Sequence, residues 1–275
     1  MTSNGKPVLV ATDLSARSDR AVDRATYLAE KWGVRLIVLH ALEPGSQLEA
    51  EPDRAAQAIR AVLLNPEADV DVIPAIGPAP AMIVDAAASA GCGLIVTGVA
   101  RFNDIGDYFI GTAVDHVVRH ANAPVLVVKQ RPHGPYTSIL VATDYSQCSR
   151  QALIKAARLF PDAAIHLVHA YHVPFESRLK SADVREYVTQ EAQAELDAFV
   201  QDPIIPADVR ARITARLGYG ELQAVVANTA DEVGSNLIVL GTHGLSGFVQ
   251  TMIGSWAEAL LQYLRHDTLM VRELP

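Results

Sequence analysis

Short runs of consecutive apolar residues alternate along the chain with longer stretches whose apolar positions recur at helical spacing. In the first half the runs predict strands near 8–12, 35–40, 70–76, 93–98 and 124–128. In the second half they predict strands near 138–143, 163–170, 207–216, 236–241 and 268–272. Several runs are continuously apolar, as expected of strands covered on both faces. With helices filling the gaps, the pattern predicts an α/β fold of two tandem five-stranded parallel-sheet domains sandwiched by helices. Between 176 and 201, Val184, Val188, Ala192, Leu196 and Phe199 form an apolar stripe against a charged face, which reads as core packing.

The two halves are copies. Leu9-Val10-Ala11-Thr12-Asp13-Leu14-Ser15 returns as Leu140-Val141-Ala142-Thr143-Asp144-Tyr145-Ser146, six of seven residues identical at an offset of 131. Farther along, Gly98 and Gly111-Thr112 return as Gly241 and Gly254-Ser255 at an offset of 143, and Leu126-Val127-Val128-Lys129 aligns with Leu269-Met270-Val271-Arg272. The second copy is thus longer by twelve residues, and the apolar stripe of 176–201 is where the extra length is expected. A repeat of this period means whole domains, here 1–131 and 136–275, with Gln130-Arg131-Pro132-His133-Gly134-Pro135 as the linker.

Composition narrows the class. Half of the 275 residues are apolar, enough for a substantial core. The net charge of −8 argues against a general binder of nucleic acid or of anionic membranes. Cys92 and Cys148 are the only cysteines, too few for a disulfide framework, and a reducing compartment is expected. Met1–Pro7 carries no apolar signal core and no run approaches eighteen apolar residues, so a soluble cytoplasmic protein is expected.

Candidate chemistry concentrates in one string of the second copy. Gly241-Thr242-His243-Gly244, nine further residues and then Gly254-Ser255 separate the strand-like Leu237-Ile238-Val239-Leu240 from a helical pattern in Trp256, Leu260 and Leu264. Glycines there let backbone approach a ligand, and a helix N-terminus offers unsatisfied amides and partial positive charge to a phosphate. Ser255 adds a hydroxyl as N-cap or phosphate ligand. Asp144 ends the first strand of the same copy, so it and the loop converge where open α/β sheets hold their ligands. The chain has no G-x-x-x-x-G-K-[ST] loop, and the glycine string holds no Lys or Arg. Phosphate charge then falls to amides, the helix end, His243 and Mg²⁺.

A strand-ending Asp, a G-x-x-G-x9-G-S loop after the fourth strand and a short terminal strand together resemble the universal stress protein family, and two copies resemble its tandem subclass. The likeness spans residues 7–131 and 136–273. It implies a flavodoxin-like or adenine nucleotide alpha hydrolase-like fold, ATP binding, dimer contacts through the last strand and a role in the stress response. The implied site is Ala142, Asp144 near adenine and ribose, Ala170 with its backbone against adenine, and Gly241, His243, Gly244, Gly254, Ser255 and Trp256 around ribose and phosphates. The expected ligand is ATP or another adenine nucleotide, with Mg, held rather than consumed; a weak Mg-dependent ATPase or phosphotransferase is the alternative. A homodimer or an intramolecular pseudo-dimer is expected.

The first copy departs from this pattern. Arg101 stands where the second glycine belongs, and Phe102-Asn103-Asp104-Ile105-Gly106-Asp107 brings two carboxylates toward the place of the phosphates. Like charges a few ångströms apart disfavour that ligand, so the first copy is expected to lack tight ATP binding and to serve as the partner half; the alternative is that the Arg101 guanidinium compensates by reaching a phosphate. His116 and His120 have a zinc-compatible spacing without an evident third ligand, and His166, His169 and His172 alternate faces along a strand. Surface or helix-end positions are expected for the first pair, and packing or site-edge roles for the other three. Cys148 borders the site without basic neighbours that would activate it, and Cys92 reads as structural.

Overall fold

The computed structural model describes residues 5–99, 112–172, 182–243 and 253–273, with backbone alone at 112 and 182–185. Arg101, the 102–107 segment, Gly111, Gly244 and the side chain of Val184 therefore lie outside the described residues. The first half runs β1 (Val8–Ala11), α1 (Asp19–Trp32), β2 (Leu36–Leu42), α2 (Gln47–Ala50), α3 (Pro52–Arg60), β3 (Asp71–Ile76), α4 (Ala79–Ser89), β4 (Leu94–Gly98), α5 (Thr112–His120) and β5 (Val125–Val128). The second half runs β6 (Ser138–Ala142), α6 (Gln147–Leu159), β7 (Ala164–Tyr171), α7 (Ala182–Gln201), α8 (Ala207–Arg210), β8 (Ile213–Tyr219), α9 (Leu222–Glu232), β9 (Leu237–Gly241), α10 (Ser255–Tyr263) and β10 (Thr268–Val271).

All ten strands belong to one sheet, in the order β3-β2-β1-β4-β5-β10-β9-β6-β7-β8. Pairing within each half is parallel, and the halves meet where β5 and β10 pair antiparallel, with Leu126 opposite Leu269. The strands beside this seam are buried on both faces, which explains their continuous apolar runs. One apolar layer lies under α1, α3, α6 and α7 and the other under α4, α5, α9 and α10; each contains residues of both halves. Ala192, Leu196 and Phe199 of α7 are buried, the last two in the first layer, as the stripe predicted.

One expectation needs correction. The strand expected at 207–216 begins later, because Pro206 starts the short helix α8 and β8 occupies 213–219. As an edge strand, β8 is only partly covered, so its pattern lacks the continuous apolar run of the inner strands. Of the two assemblies expected, homodimer or intramolecular pseudo-dimer, the last strands form the second: β5 and β10 pair within one chain, which makes the terminal-strand contact an internal one. The sheet's edges are β3 and β8.

A polar network pins the seam on one side. Buried Asp267 accepts hydrogen bonds from the amides of Lys129 (2.7 Å) and Gln130 (2.9 Å) and from the Tyr136 hydroxyl (2.5 Å), with Arg24 Nε at 3.8 Å. Arg24 lies over the Tyr136 ring at 4.3 Å and donates to the Gly134 carbonyl. Lys129 Nζ reaches from the end of β5 to the Leu261 and Leu264 carbonyls at the end of α10, at 2.6 and 2.7 Å. The segment expected to be a linker is thus bonded into both halves.

Burial pulls the Lys129 ammonium down to about 7, against the opposing pull of Asp267. An unfolded lysine titrates at 10.5, so between these values the unfolded chain binds more protons and stability rises with pH. Burial raises the Cys92 thiol above its ordinary 9.0, so above that point Cys92 contributes with the opposite sign and offsets part of the rise, which leaves pH 7 to 9 as the window for Lys129. Denaturant titrations across that window are expected to show a rising midpoint in the native protein and a smaller rise in Lys129→Met. Equal slopes would show that Lys129 does not titrate there.

Candidate functional site

The repeated Thr-Asp-x-Ser segment builds a turn at the carboxyl end of the first strand of each half. In the second half, buried Thr143 lies 2.8 Å from the Ser149 hydroxyl and accepts from the Tyr145 amide at 3.0 Å. Asp144 Oδ1 accepts from the Ser146 amide at 3.1 Å. Tyr145 has φ +66°, a left-handed conformation that costs a non-glycine residue about 1–2 kcal/mol. Stacking of its ring on His169 at 4.2 Å offsets that cost, and His169 Nδ1 in turn meets the Thr143 carbonyl at 2.8 Å. The first half repeats the device with Thr12, Ser18, Leu14 (φ +60°) and His40.

The two turns differ at the carboxylate. The Ser15 hydroxyl donates to Asp13 at 2.6 Å and its amide donates at 3.0 Å; against the upward push of partial burial, these bonds hold the Asp13 carboxyl below its ordinary value. The Ser146 hydroxyl instead caps α6 by accepting from the Ser149 amide at 3.1 Å. Both carboxylates accept from their own turns, but Asp144 is half-buried whereas Asp13 is exposed.

The glycine loop closes the site from the other strand. Gly241 ends β9, and a Cβ there would stand 3.0 Å from Cys148 Sγ and 3.1 Å from the Ser149 amide. Its lack of a side chain therefore seats β9 against the first turn of α6, rather than admitting a ligand on that side. Thr242 is buried, and its hydroxyl lies 2.8 Å from His243 Nδ1. The Gly254 amide donates to the Thr242 carbonyl at 2.8 Å, which draws the two ends of the loop together. Gly254 is the N-cap of α10 and Ser255 its first helical residue, so Ser255 does not cap the helix as expected. The amides of Ser255 and Trp256 fall among the first donors of α10 that lack intrahelical partners.

Between these elements lies a cavity of about 160 Å³ bounded by Ala142, Asp144, Gly241, His243, Gly254, Ser255 and Trp256. Leu222, Leu240, Ala257 and Leu260 give it an apolar floor, and Thr143 and Ser149 also line it. Ala170, near the end of β7, packs with the apolar layer and does not line it. The cavity sits between β6 and β9, the point where the strand order of this half reverses. Leu222 was not anticipated from the sequence. The signal for it is Gly218-Tyr219-Gly220: Gly220 has φ +131°, and a Cβ on Gly218 would collide with Val225, so α9 enters close to the strand.

Of the residues set aside earlier, His116 and His120 stack at 4.0 Å, with His120 Nδ1 meeting the His116 carbonyl at 2.8 Å. Cys148 is buried with its sulfur 3.5 Å from the Val271 carbonyl, and Cys92 is buried as well. Among the described residues no group of three His, Cys, Asp or Glu is placed to hold a metal, and no helix is long and apolar enough to cross a membrane.

A mostly parallel sheet covered by helices, with its cavity at the strand-order reversal, defines an open α/β protein, the class of fold whose ligand sites lie at the carboxyl ends of the strands. The chain belongs to the universal stress protein family, which it matches twice, over residues 5–129 and 135–272. A universal stress protein of Thermus aquaticus is 31% identical over 135 residues, covering 45% of this chain and 98% of its own. Universal stress protein E of Salmonella typhi is 24% identical over 190 residues, 65% of this chain and 60% of the relative. Among solved structures, a universal stress protein of Archaeoglobus fulgidus aligns over 99% of this chain and 98% of its own, with TM-score 0.62 and 20% identity. A functionally unknown protein of Pseudomonas aeruginosa aligns over 98% and 93%, with TM-score 0.64 and 21% identity. These likenesses establish the fold of two tandem domains.

Proposed function

We propose that the second half binds ATP or another adenine nucleotide and that the protein acts in the stress response through occupancy of this site. The observation that carries the reading is one cavity joining a turn-held carboxylate, a helix N-terminus and an apolar floor at the strand-order reversal. The parts suit the parts of a nucleotide. Leu222, Leu240 and Leu260 offer apolar contact to a base, Asp144 an acceptor for sugar hydroxyls, and the Ser255 and Trp256 amides donors for phosphate. Magnesium bound with the nucleotide supplies the positive charge that the cavity's described lining lacks, and Asp144 is the carboxylate nearest to hand. Asp144 and His243 are the only titratable side chains of that lining, which favours holding over turnover. The bond between Gly254 and Thr242 ties the N-terminus of α10 to the end of β9, so a ligand at that helix end acts on both elements.

The test uses Trp256, which lines the cavity, as reporter in a Trp32→Phe protein titrated with MgATP. A saturable change in emission is expected. Gly254→Leu fills the cavity from a position whose φ of −60° accepts any residue, and is expected to weaken binding about a hundredfold while costing about 1 kcal/mol of stability. Undiminished binding in that variant would place the ligand elsewhere.

A further inference from the structure

The pseudo-twofold relation between the halves makes the seam network answerable to its own mirror position. At the two repeat offsets, Arg24 corresponds to Lys155, Lys129 to Arg272 and Asp267 to Pro124. On the first side the carboxylate of Asp267 faces both Arg24 and Lys129. On the second side, Lys155, Arg272 and Pro124 again line one cavity, of about 360 Å³, but proline stands where the carboxylate belongs. The cations are duplicated and their counter-charge is not.

More positive charge gathers at the same place. Arg158 lines this cavity, and with Lys155 it also lines an adjoining one of about 460 Å³ that holds Lys6, Arg212 and the indole of Trp32. Arg212 is committed to the carbonyls of Ala157, Phe160 and Ala163. Among the described residues, Asp208 is the only carboxylate lining either cavity. Among the described residues, Lys6, Lys155, Arg158 and Arg272 form no ion pair. Lys6 is held in place by its stem, which packs directly over Gly93. Burial and then the neighbouring charges of Lys6 and Arg158 depress the Lys155 ammonium, the mark of like charges gathered without compensation. In a chain of net charge −8, such a cluster is a local exception.

We propose that this groove binds a small multivalent anion of the phosphate-ester class, whose charge takes the place that Asp267 fills on the other side. The apolar wall beside it, Val8, Trp32, Leu94 and Val209, suits an organic moiety carrying the phosphate. The site is separate from the cavity at Asp144 and shares none of its lining residues.

Calorimetric titration with inorganic pyrophosphate tests it on the full chain. The native protein is expected to bind in a saturable, salt-sensitive manner, and Lys155→Gln combined with Arg272→Gln to weaken binding about tenfold or more. Pro124→Asp supplies the missing carboxylate and is expected to raise thermal stability while suppressing pyrophosphate binding. Gly254→Leu is expected to leave it unchanged. Absence of binding to the native protein overturns the proposal, as does native affinity in the Lys155→Gln, Arg272→Gln protein. Loss in Gly254→Leu alone would assign the pyrophosphate to the other cavity, overturning the groove while sparing the nucleotide site.

Discussion

Asp267→Ala is expected to destabilise the chain by about 3–5 kcal/mol, a large fraction of the roughly 5–15 kcal/mol that holds a typical domain folded. The carboxylate is 1% exposed and accepts from two backbone amides and a tyrosine hydroxyl while facing Arg24 and Lys129. Truncation leaves those donors unsatisfied and the buried Arg24 guanidinium uncompensated, at the seam that joins the halves. Tyr136→Phe removes a single donor and is expected to cost about 1 kcal/mol. Asp231, which pairs with His266 at 3.8 Å from an exposed position, provides the control, and its loss is expected to cost about 0.5 kcal/mol or less. Urea denaturation of the three variants gives the ranking directly. An Asp267→Ala loss no larger than the control's would mean that the network contributes nothing to the joint.

Gly241→Ala is expected to cost about 1–3 kcal/mol, whereas Gly98→Ala at the matching position is expected to be neutral or mildly stabilising. The new methyl at 241 meets Cys148 and the Ser149 amide at 3.0–3.1 Å, and these atoms belong to the first turn of α6, which cannot yield without moving the helix. At 98 the nearest atoms stand 3.7–3.9 Å away, ordinary contact distance. Displacing α6 also disturbs the Thr143–Ser149 bond under Asp144, so Gly241→Ala is expected to weaken nucleotide binding along with stability. Comparable melting temperatures for the two variants would refute the packing role given to Gly241.

Much of the fold was legible because the buried strands are continuous apolar runs and because the copies repeat them. The runs at β5 and β10 look alike, and nothing in either run says whether its free edge meets a second chain or its own twin. The residues that decide the matter, Asp267 with Arg24, Lys129 and Tyr136, have no full counterpart in the other copy, so comparing the repeats could not reveal them. The same asymmetry hid the groove at Lys155 and Arg272. At the candidate site, Asp144 and the loop ends were readable from the motif, since a turn and a helix entry are local features. The apolar floor was not, because Leu222 and Leu260 resemble ordinary core leucines until the strand order sets them beneath the loop. Gly241 was read as glycine for a ligand's sake, when the neighbour that requires it is a helix ninety residues earlier in the chain.

The central claim is that one half of a duplicated chain holds the nucleotide. It is tested most directly by saturating the protein with MgATP, desalting it rapidly, denaturing it and counting released small molecules by mass spectrometry. One adenine nucleotide per chain is the expected result, falling toward zero in Gly254→Leu. No nucleotide, or two per chain, would contradict it.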